Sequence, residues 1–287
     1  MASPMHQDPV LARLLNLADD ATKHKLLMKA AACGDEEVLQ AILKAADPGI
    51  VLRIEGGKTA CMAAAKHGHA RCCQMLLAAH GAEQQVLQSN AASVSAAMWA
   101  AAKGHLDALR VLLAHAPQQQ LTFAISRGDW KGYTVLQYAA SRGHTAIVAE
   151  VLALATNAQQ LVAHRNGQGA TALSLAAANG HDAALQALLP LVNDSAQLSH
   201  ALAAVKASRL SESHKRCCQL LLARGASMSE LQGEQRQRIE AVVREVMAAH
   251  LMPGALQQAV TDAVVQLAAA VRPAKRARGD GDKGCGH

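Results

Sequence analysis

Aromatic residues are scarce in this 287-residue chain, although 51% of its residues are hydrophobic. Phe, Trp and Tyr together make up 2% of the sequence, and alanine and leucine dominate the apolar content. These two residues favour closely packed helices, whereas pleated sheets are rich in β-branched and aromatic side chains. We therefore expect an all-α fold rather than a β-sandwich or a β-barrel. The five aromatic residues lie close together in the sequence: Trp99, Phe123, Trp130, Tyr133 and Tyr138.

Features of membrane and exported proteins are also missing. No uninterrupted apolar run approaches the roughly 18 residues that a membrane span requires. The first twenty residues lack the basic start and apolar stretch of a secretory signal. Seven cysteines are an odd number, and four of them form adjacent pairs at positions 72–73 and 217–218, which does not suit a disulfide framework. We expect a soluble chain in a reducing compartment, without a membrane partner.

A strong excess of positive charge is absent from most of the chain. The net charge is +6, but the last sixteen residues contribute +3 of it. The remaining chain is only mildly basic, so a broad nucleic-acid-binding surface is not expected.

An internal repeat is the main feature that is present. Five segments align without gaps: KLLMKAAACGD from Lys25, TACMAAAKHGH from Thr59, SAAMWAAAKGH from Ser95, TVLQYAASRGH from Thr134 and TALSLAAANGH from Thr171. Their glycines are 34, 36, 39 and 37 residues apart. After each glycine, apolar residues recur at the fourth, fifth, eighth and ninth positions, which is helical spacing. Each copy is therefore predicted to be a short alanine-rich helix, a glycine turn and a second, amphipathic helix.

Each position that recurs in the five copies has a physical role. Paired alanines let two helices approach closely, and the glycine adopts a left-handed conformation that is costly for other residues. The Thr or Ser that opens most copies can cap the first helix. A single helix pair cannot bury its apolar face, whereas stacked pairs form a continuous elongated core. A sixth, degenerate copy follows, with its second helix predicted from His214 and its first near residues 200–206.

The repeats resemble the ankyrin-repeat family, whose signature is T-P-L-H-x-A with a period of about 33 residues. Residues 129–134 match the family's D-x-x-G-x-T lead-in. Two features depart from the family: the Pro and His of the signature are replaced in all five copies, and longer glutamine-rich connections separate the copies. The resemblance implies an all-α helix-turn-helix solenoid of five to six repeats with helical caps. We assign a capping helix to residues 1–22, the repeat array to 23–226, a helical cap to 227–271 and a basic tail to 272–287.

The resemblance also implies a non-enzymatic scaffold that binds a partner protein through a concave surface. This surface is formed by the first helices and by the fingers, which are the turns that precede them. Matching the family's variable positions onto this sequence gives the predicted contact residues: Lys58, Lys66, His67, Lys103, Trp130, Lys131, Tyr133, Ser141, Arg142 and Asn179. Several of these are basic and none is acidic, which favours an acidic partner, although a solvated basic face is the alternative. Trp130 and Tyr133 are candidates for binding hot spots or simply exposed rings. Trp99 and Tyr138 are expected in the core, and Phe123 is expected to anchor a connection.

Metal, cofactor and catalytic sites are not predicted. His67, His69, Cys72 and Cys73 have a suggestive composition, but both cysteines occupy apolar slots of the second helix, where they behave as small hydrophobic residues. His69 follows the repeat glycine, as histidine does in three later copies, so the repeat explains it better than metal binding. The usual motifs of hydrolases, phosphate-binding loops and metalloproteases are missing, so we name no catalytic residue.

The two ends suggest further functions. Residues 234–250 and 254–271 are predicted helices that cap the array. Alternatively, Leu251-Met252-Pro253, followed by Leu256 and Val260, resembles the start of an F-box, which would make the chain a ubiquitin-ligase adaptor. The tail resembles a nuclear import signal read by importins, with a solubilising tail as the alternative; its defining residues are Pro273, Lys275, Arg276 and Arg278. The expected location is cytoplasmic, nuclear or both. The alanine-rich, glutamine-containing composition also resembles bacterial ankyrin proteins, including effectors delivered into host cells.

Overall fold

A computed structural model provides the structure of the protein. It describes residues 14–15, 17–116, 118–205, 211–228, 236–237, 239–241 and 243–244. In these residues the regular structure is helical, and strand-like pairing is limited to two isolated bridges, Glu55 with Lys58 and Ser89 with Ser95. The prediction of an all-α fold is confirmed. The tail, the F-box-like segment and most of the N-terminal capping helix lie outside the described residues.

In the residues that the structure describes, six helix pairs follow one another along the chain, and we number them repeats 1 to 6. The first, inner helices are Asp20–Cys33, Ala60–His67, Ala96–Lys103, Val135–Arg142, Ala172–Ala178 and Ser195–Ala204. The second, outer helices are Glu36–Ala45, Ala70–Ala79, Leu106–Ala114, Thr145–Leu154, Asp182–Leu188 and Glu212–Ala223. Each inner helix packs against the next inner helix, and each outer helix against the next outer helix. One continuous core results, as predicted for a solenoid.

The capping residues predicted from the sequence begin the inner helices of repeats 2 to 5. Thr59 Oγ1 accepts a hydrogen bond from the Met62 amide at 3.2 Å, and Ser95, Thr134 and Thr171 make the equivalent bond. Repeat 1 differs, because its inner helix begins at Asp20 and is capped by Asp19. The boundary predicted at residue 23 therefore falls inside this helix.

The connections contain a third helix in three repeats. These connecting helices are Ala82–Leu87, Gln118–Ser126 and Ala158–Ala163, and a 3-10 helix at Pro48–Leu52 occupies the connection of repeat 1. They include the glutamine-rich segments for which the sequence predicted only long connections. Phe123, which was expected to anchor a connection, lies on one of these helices and is 51% exposed.

Five histidines join adjacent repeats: four of them follow a repeat glycine, and the fifth, His214, follows Ser213. Gly143 ends its inner helix with a φ of +74°, and a Cβ added there would lie 2.5 Å from Nδ1 of His181 in the next repeat. The Nε2–H of His181 donates a hydrogen bond to the Ser141 carbonyl at 3.2 Å. The same packing recurs at four other positions: Gly34 with His69, Gly68 with His105, Gly104 with His144, and Gly180 with His214. These imidazoles thus contact the preceding repeat, as expected for a role in repeat geometry.

Two features are absent from the described residues. Within them, no three or more His, Cys, Asp or Glu side chains are grouped so as to hold a metal ion. Nor is any helix in that part of the chain both long enough and apolar enough to cross a bilayer.

Candidate functional site

Three fingers, the turns that precede the inner helices of repeats 3 to 5, are built on the same hydrogen-bonded loop. The side-chain oxygens of Asn90, Asp129 and Asn166 each accept from the backbone amides two and four residues further along, at 2.8 to 3.0 Å. Asn and Asp favour such turns because their short side chains bond the backbone ahead of them. The path of each finger is therefore fixed by its own sequence.

Backbone hydrogen bonds stack these fingers on one another. The Trp130 amide donates to the Ala92 carbonyl at 3.1 Å, and the Gly167 amide donates to the Lys131 carbonyl at 2.7 Å. The fingers and the last turns of the inner helices together form the surface that we call the inner face. Along this face, the fingers of repeats 4 and 5 are each hydrogen-bonded to the finger before them.

The structure places all ten predicted contact residues on this inner face. Lys58, Tyr133, Trp130 and Lys131 lie in fingers, and the others lie in the last turn or at the end of inner helices. The exposed ones are His67, Lys103, Trp130, Lys131, Arg142 and Asn179, and the partly buried ones are Lys58, Lys66, Tyr133 and Ser141.

Trp99 occupies the inner face and is only partly buried, which corrects its predicted place in the core. Its ring packs against the core from one side. The ammonium groups of Lys58 and Lys66 lie 5.7 and 5.2 Å from the ring centroid, within cation–π distance. Both lysines belong to repeat 2, so the ring of repeat 3 extends across the boundary between the two repeats.

An aromatic pair lies on the next repeat. The rings of Tyr133 and Tyr138 are 5.5 Å apart, and the Tyr138 hydroxyl donates to Asp129 Oδ2 at 2.7 Å. Burial, followed by this contact with the Asp129 carboxylate, raises the pKa of Tyr138 well above its usual value. Tyr138 is partly buried rather than fully in the core, as Trp99 is. Its hydroxyl helps to hold Asp129, and thereby the finger.

Trp130 is the most exposed aromatic side chain of the finger stack. It is 68% exposed, and the Lys131 ammonium lies 4.7 Å from its ring centroid. Its backbone is fixed by the neighbouring finger, so the ring is presented to solvent on a rigid support.

Basic side chains on the inner and outer surfaces differ in their partners. On the outer helices, arginines pair with acids of a neighbouring repeat: Arg71 with Glu36 at 3.9 Å, Arg110 with Glu150 at 2.8 Å and Arg216 with Asp182 at 3.6 Å. In the described part of the chain, no carboxylate lies within 4.0 Å of a side-chain nitrogen of the inner-face bases, which are Lys58, Lys66, Lys103, Lys131 and Arg142.

His67 experiences this uncompensated charge. Its pKa is lowered below the usual imidazole value, first by desolvation of a side chain that remains mostly exposed, and then by the neighbouring basic groups Lys66, His69 and Lys58. Lys66 and Lys58 thus lie close enough to His67 to disfavour its protonation.

Comparison with known proteins agrees with this architecture. A family model for ankyrin repeats, in sets of three copies, matches residues 27–122, 82–160 and 118–198. These matches together cover more than half of the chain. The chain belongs to the ankyrin-repeat family. Its repeats form a protein–protein interaction scaffold of a kind that is typically non-enzymatic.

One curated relative is "Ankyrin repeat domain-containing protein 63" of Mus musculus. It is 38% identical over 93 residues, which are 32% of this chain and 23% of the relative. The chain thus spans about a quarter of the length of the curated relative that it matches.

The ankyrin array also contains a cavity that the sequence did not predict. It has a volume of about 330 Å³ and lies between the connecting helices of repeats 3 and 4. Its lining is uncharged apart from one histidine: Thr122, Ile125, Ser126, Ala155, Asn157, Gln160, Leu161 and His164. None of these belongs to the predicted contact set, because the helices that form the cavity were not predicted.

Proposed function

We propose that this ankyrin protein binds an acidic segment of a partner protein on the inner face of repeats 2 to 4. The observation that supports this is the contrast in charge pairing. Arginines on three outer helices pair with acids of a neighbouring repeat, whereas the five inner-face bases have no carboxylate within 4.0 Å among the described residues. A partner that supplies carboxylates would satisfy these charges and would be steered toward them.

The fold explains why cations are stable at these positions without an acid of their own. Lys66, Lys103 and Arg142 lie in the last turn of their inner helices. The helix dipole places partial negative charge at this end, which favours a basic side chain. The charges can therefore remain exposed in the free protein and still be available to a ligand.

The finger stack adds a rigid apolar anchor beside the charges. Trp130 is held on a finger in which Asp129 accepts three hydrogen bonds, so the backbone that carries the ring is ordered before binding. Exposed tryptophan and tyrosine are frequent binding hot spots. The partner segment is therefore expected to combine acidic residues with an apolar side chain that contacts Trp130.

A comparison of two charge-reversed variants tests this proposal. The inner variant carries Lys66→Glu and Lys103→Glu, and the outer variant carries Arg71→Glu and Arg110→Glu, so both change the net charge equally. Each is used to capture proteins from the same lysate, and the partners captured by the unmodified chain are quantified. The inner variant should lose the main partner and the outer variant should keep it. Equal retention by both variants, or loss by the outer one alone, would contradict the proposal.

We also propose that the tail is a nuclear import signal, on the basis of its Lys275-Arg276-Ala277-Arg278 run after Pro273. A fluorescent protein fused to residues 272–287 should accumulate in nuclei, and Lys275→Ala with Arg276→Ala should abolish the accumulation. A diffuse signal that these substitutions leave unchanged would remove the proposal. The ubiquitin-ligase adaptor and bacterial effector hypotheses stay predictions from the sequence.

A further inference from the structure

A repeated contact joins the connecting elements of repeats 1 to 3, which are the 3-10 helix of repeat 1 and the connecting helices of repeats 2 and 3. The first two of these elements end at Leu52 and Leu87. Gln88, which follows the element of repeat 2, donates from Nε2 to the Leu52 carbonyl at 2.9 Å. Arg127, which follows the element of repeat 3, donates from Nη1 to the Leu87 carbonyl at 3.4 Å. Each connecting helix is thus bonded to the last residue of the element before it.

The contact changes between repeats 3 and 4. Each connecting element has two adjacent buried residues just before its last residue, at positions 50–51, 85–86, 124–125 and 161–162. Aligned on these pairs, Ser126 takes the place of the two leucines. His164 takes the place of Gln88 and Arg127, but its Nε2–H donates to the Gly132 carbonyl at 3.1 Å. The cavity of about 330 Å³ lies at this point, and both Ser126 and His164 line it.

The equivalent space between repeats 1 and 2 contains a leucine side chain. The same alignment matches the cavity residue Asn157 with Gly81 of repeat 2. A Cβ added at Gly81 would lie 3.6 Å from both methyl carbons of Leu52, which is ordinary van der Waals contact. The Leu52 side chain therefore packs beside the counterpart of Asn157. Between repeats 3 and 4 the corresponding residue is Ser126, whose short side chain leaves this space open.

The size and lining of the cavity agree with this comparison. An apolar cavity of about 150 Å³ already holds a six-carbon ring, so about 330 Å³ can hold a leucine side chain and part of its backbone. The buried Ile125 and Leu161 offer apolar contacts, and the exposed Asn157 and Gln160 offer side-chain amides. The lining contains no Lys, Arg, Asp or Glu, so a charged side chain would lose water there without gaining an opposite charge.

Hydrogen bonds fix both ends of the connecting helix of repeat 4. Before this helix, Thr156 Oγ1 lies 3.1 Å from Oγ1 of Thr122 on the connecting helix of repeat 3. After it, His164 is bonded to Gly132, as described above. The separation of the two connecting helices is therefore set by the fold, and the cavity is formed before a ligand arrives.

We infer that this cavity binds a leucine side chain of a partner protein, in the place that Leu52 fills within the chain between repeats 1 and 2. The leucine packs on Ile125 and Leu161, and the backbone beside it bonds the side-chain amides of Asn157 and Gln160. The inference goes beyond the proposed function, because none of the lining residues belongs to the inner face. It assigns the array a second contact site, which selects an uncharged aliphatic side chain rather than an acidic one.

Nuclear magnetic resonance of the intact chain tests this site directly. The chain has six isoleucines, and Ile125 lines the cavity, so its δ1-methyl signal reports on binding there. The spectrum of an Ile125→Val variant assigns that signal. The probes are the N-acetyl amides of leucine, alanine and glutamate, which carry one side chain between two peptide groups. They are titrated at constant ionic strength.

The leucine amide should shift the Ile125 signal in a saturable way, with a Kd in the millimolar range, and should leave the Ile42 signal of repeat 1 in place. The alanine amide should bind at least about tenfold more weakly, because it buries three fewer carbon atoms. The glutamate amide should also bind at least about tenfold more weakly, because no cation lines the cavity. Ser126→Leu should fill the cavity from within and abolish the shift, whereas the matched control Ser126→Ala should retain it.

Three results would overturn the inference. The first is the absence of a saturable Ile125 shift up to the solubility limit of the leucine amide, which includes the case in which another part of this chain already fills the cavity. The second is equal binding of the alanine or glutamate amide, because the cavity would then not select an aliphatic side chain. The third is a shift that persists in a folded Ser126→Leu variant. If Ser126→Leu does not fold, Ala155→Leu fills the same cavity and replaces it in this comparison.

Discussion

Replacement of one repeat glycine by alanine tests the physical basis of the stack. Gly143 has a φ of +74°, and an added Cβ would lie 2.5 Å from Nδ1 of His181. Two costs therefore contribute to the loss of unfolding free energy in Gly143→Ala. The left-handed conformation costs alanine about 1 kcal/mol. The imidazole must also move, which breaks its 3.2 Å hydrogen bond to the Ser141 carbonyl and disturbs the contact between repeats 4 and 5. Loss of that bond and contact costs about 1 to 2 kcal/mol more.

Gly169 provides a matched control for the conformational cost. Its φ is also +74°, but nothing lies within 4 Å of an added Cβ. We expect Gly169→Ala to lower the free energy of unfolding by about 1 kcal/mol and Gly143→Ala by about 2 to 3 kcal/mol. Urea denaturation followed by far-ultraviolet circular dichroism measures both changes.

A double-mutant cycle identifies the contact that is responsible. In a His181→Ala background the added methyl group no longer meets a ring, so Gly143→Ala should cost only about 1 kcal/mol there. Equal losses for the two glycine variants, or no reduction of the cost in the His181→Ala background, would refute the claim that this imidazole packs against the preceding glycine.

Three further predictions follow from named contacts. Asp129→Ala should destabilise the protein by about 2 to 4 kcal/mol, because a buried acceptor of three hydrogen bonds is lost. Asp129→Asn should cost about 1 kcal/mol or less, since asparagine builds the same turn in the neighbouring fingers. The urea midpoints of the two variants distinguish these outcomes. Trp130→Ala should leave the thermal midpoint nearly unchanged, because the ring is 68% exposed, but should weaken partner binding, and a large loss of stability would show that the ring is structural. Burial lowers the pKa of His144 below 6.5 in the folded protein, so protonation favours the unfolded chain. The free energy of unfolding should therefore be highest above pH 6.5 and should decrease as the pH falls toward 5. In His144→Gln this decrease should be shallower.

The helix pairs could be predicted because their sequence signal is local and repeated. Glycines such as Gly68 and Gly104 end each inner helix in the left-handed conformation, and Thr59 and Ser95 begin the helices as caps. Each copy presents the same spacing of small and apolar residues, so the copies support one another. These features depend on neighbours within about ten residues.

The connecting helices Ala82–Leu87 and Ala158–Ala163 could not be predicted because six residues are too few to show a period. The helix Ala82–Leu87 has six residues, and only Gln85 and Val86 are buried. Gln85 is fully buried, and its side-chain amide donates to the Leu76 and His80 carbonyls at 2.8 and 2.6 Å, which offsets the cost of burying a polar group. A glutamine in a polar segment gives no indication of such a role, since its partners are fixed only by the folded chain.

The chemistry of the inner face was only partly predictable for a related reason. Repeat alignment placed Lys58 and Lys66 at exposed positions, and in the structure both lie on the inner face and are partly buried. It also assigned Trp99 to the core, because the corresponding slot is usually buried. The approach of both lysines to the Trp99 ring depends on the stacking of repeat 3 on repeat 2. Contacts between repeats are not visible in a pattern that describes one repeat at a time.

Site-specific photocrosslinking tests the central claim most directly, namely that the inner face binds an acidic partner segment. A photoreactive phenylalanine analogue replaces Lys103 on the inner face or, as a control, Arg110 on the outer surface, and crosslinked partner peptides are sequenced by mass spectrometry. We predict a partner that is captured from position 103 and not from position 110, through a peptide rich in Asp or Glu. Capture from position 110 alone, or a crosslinked peptide without negative charge, would contradict the account.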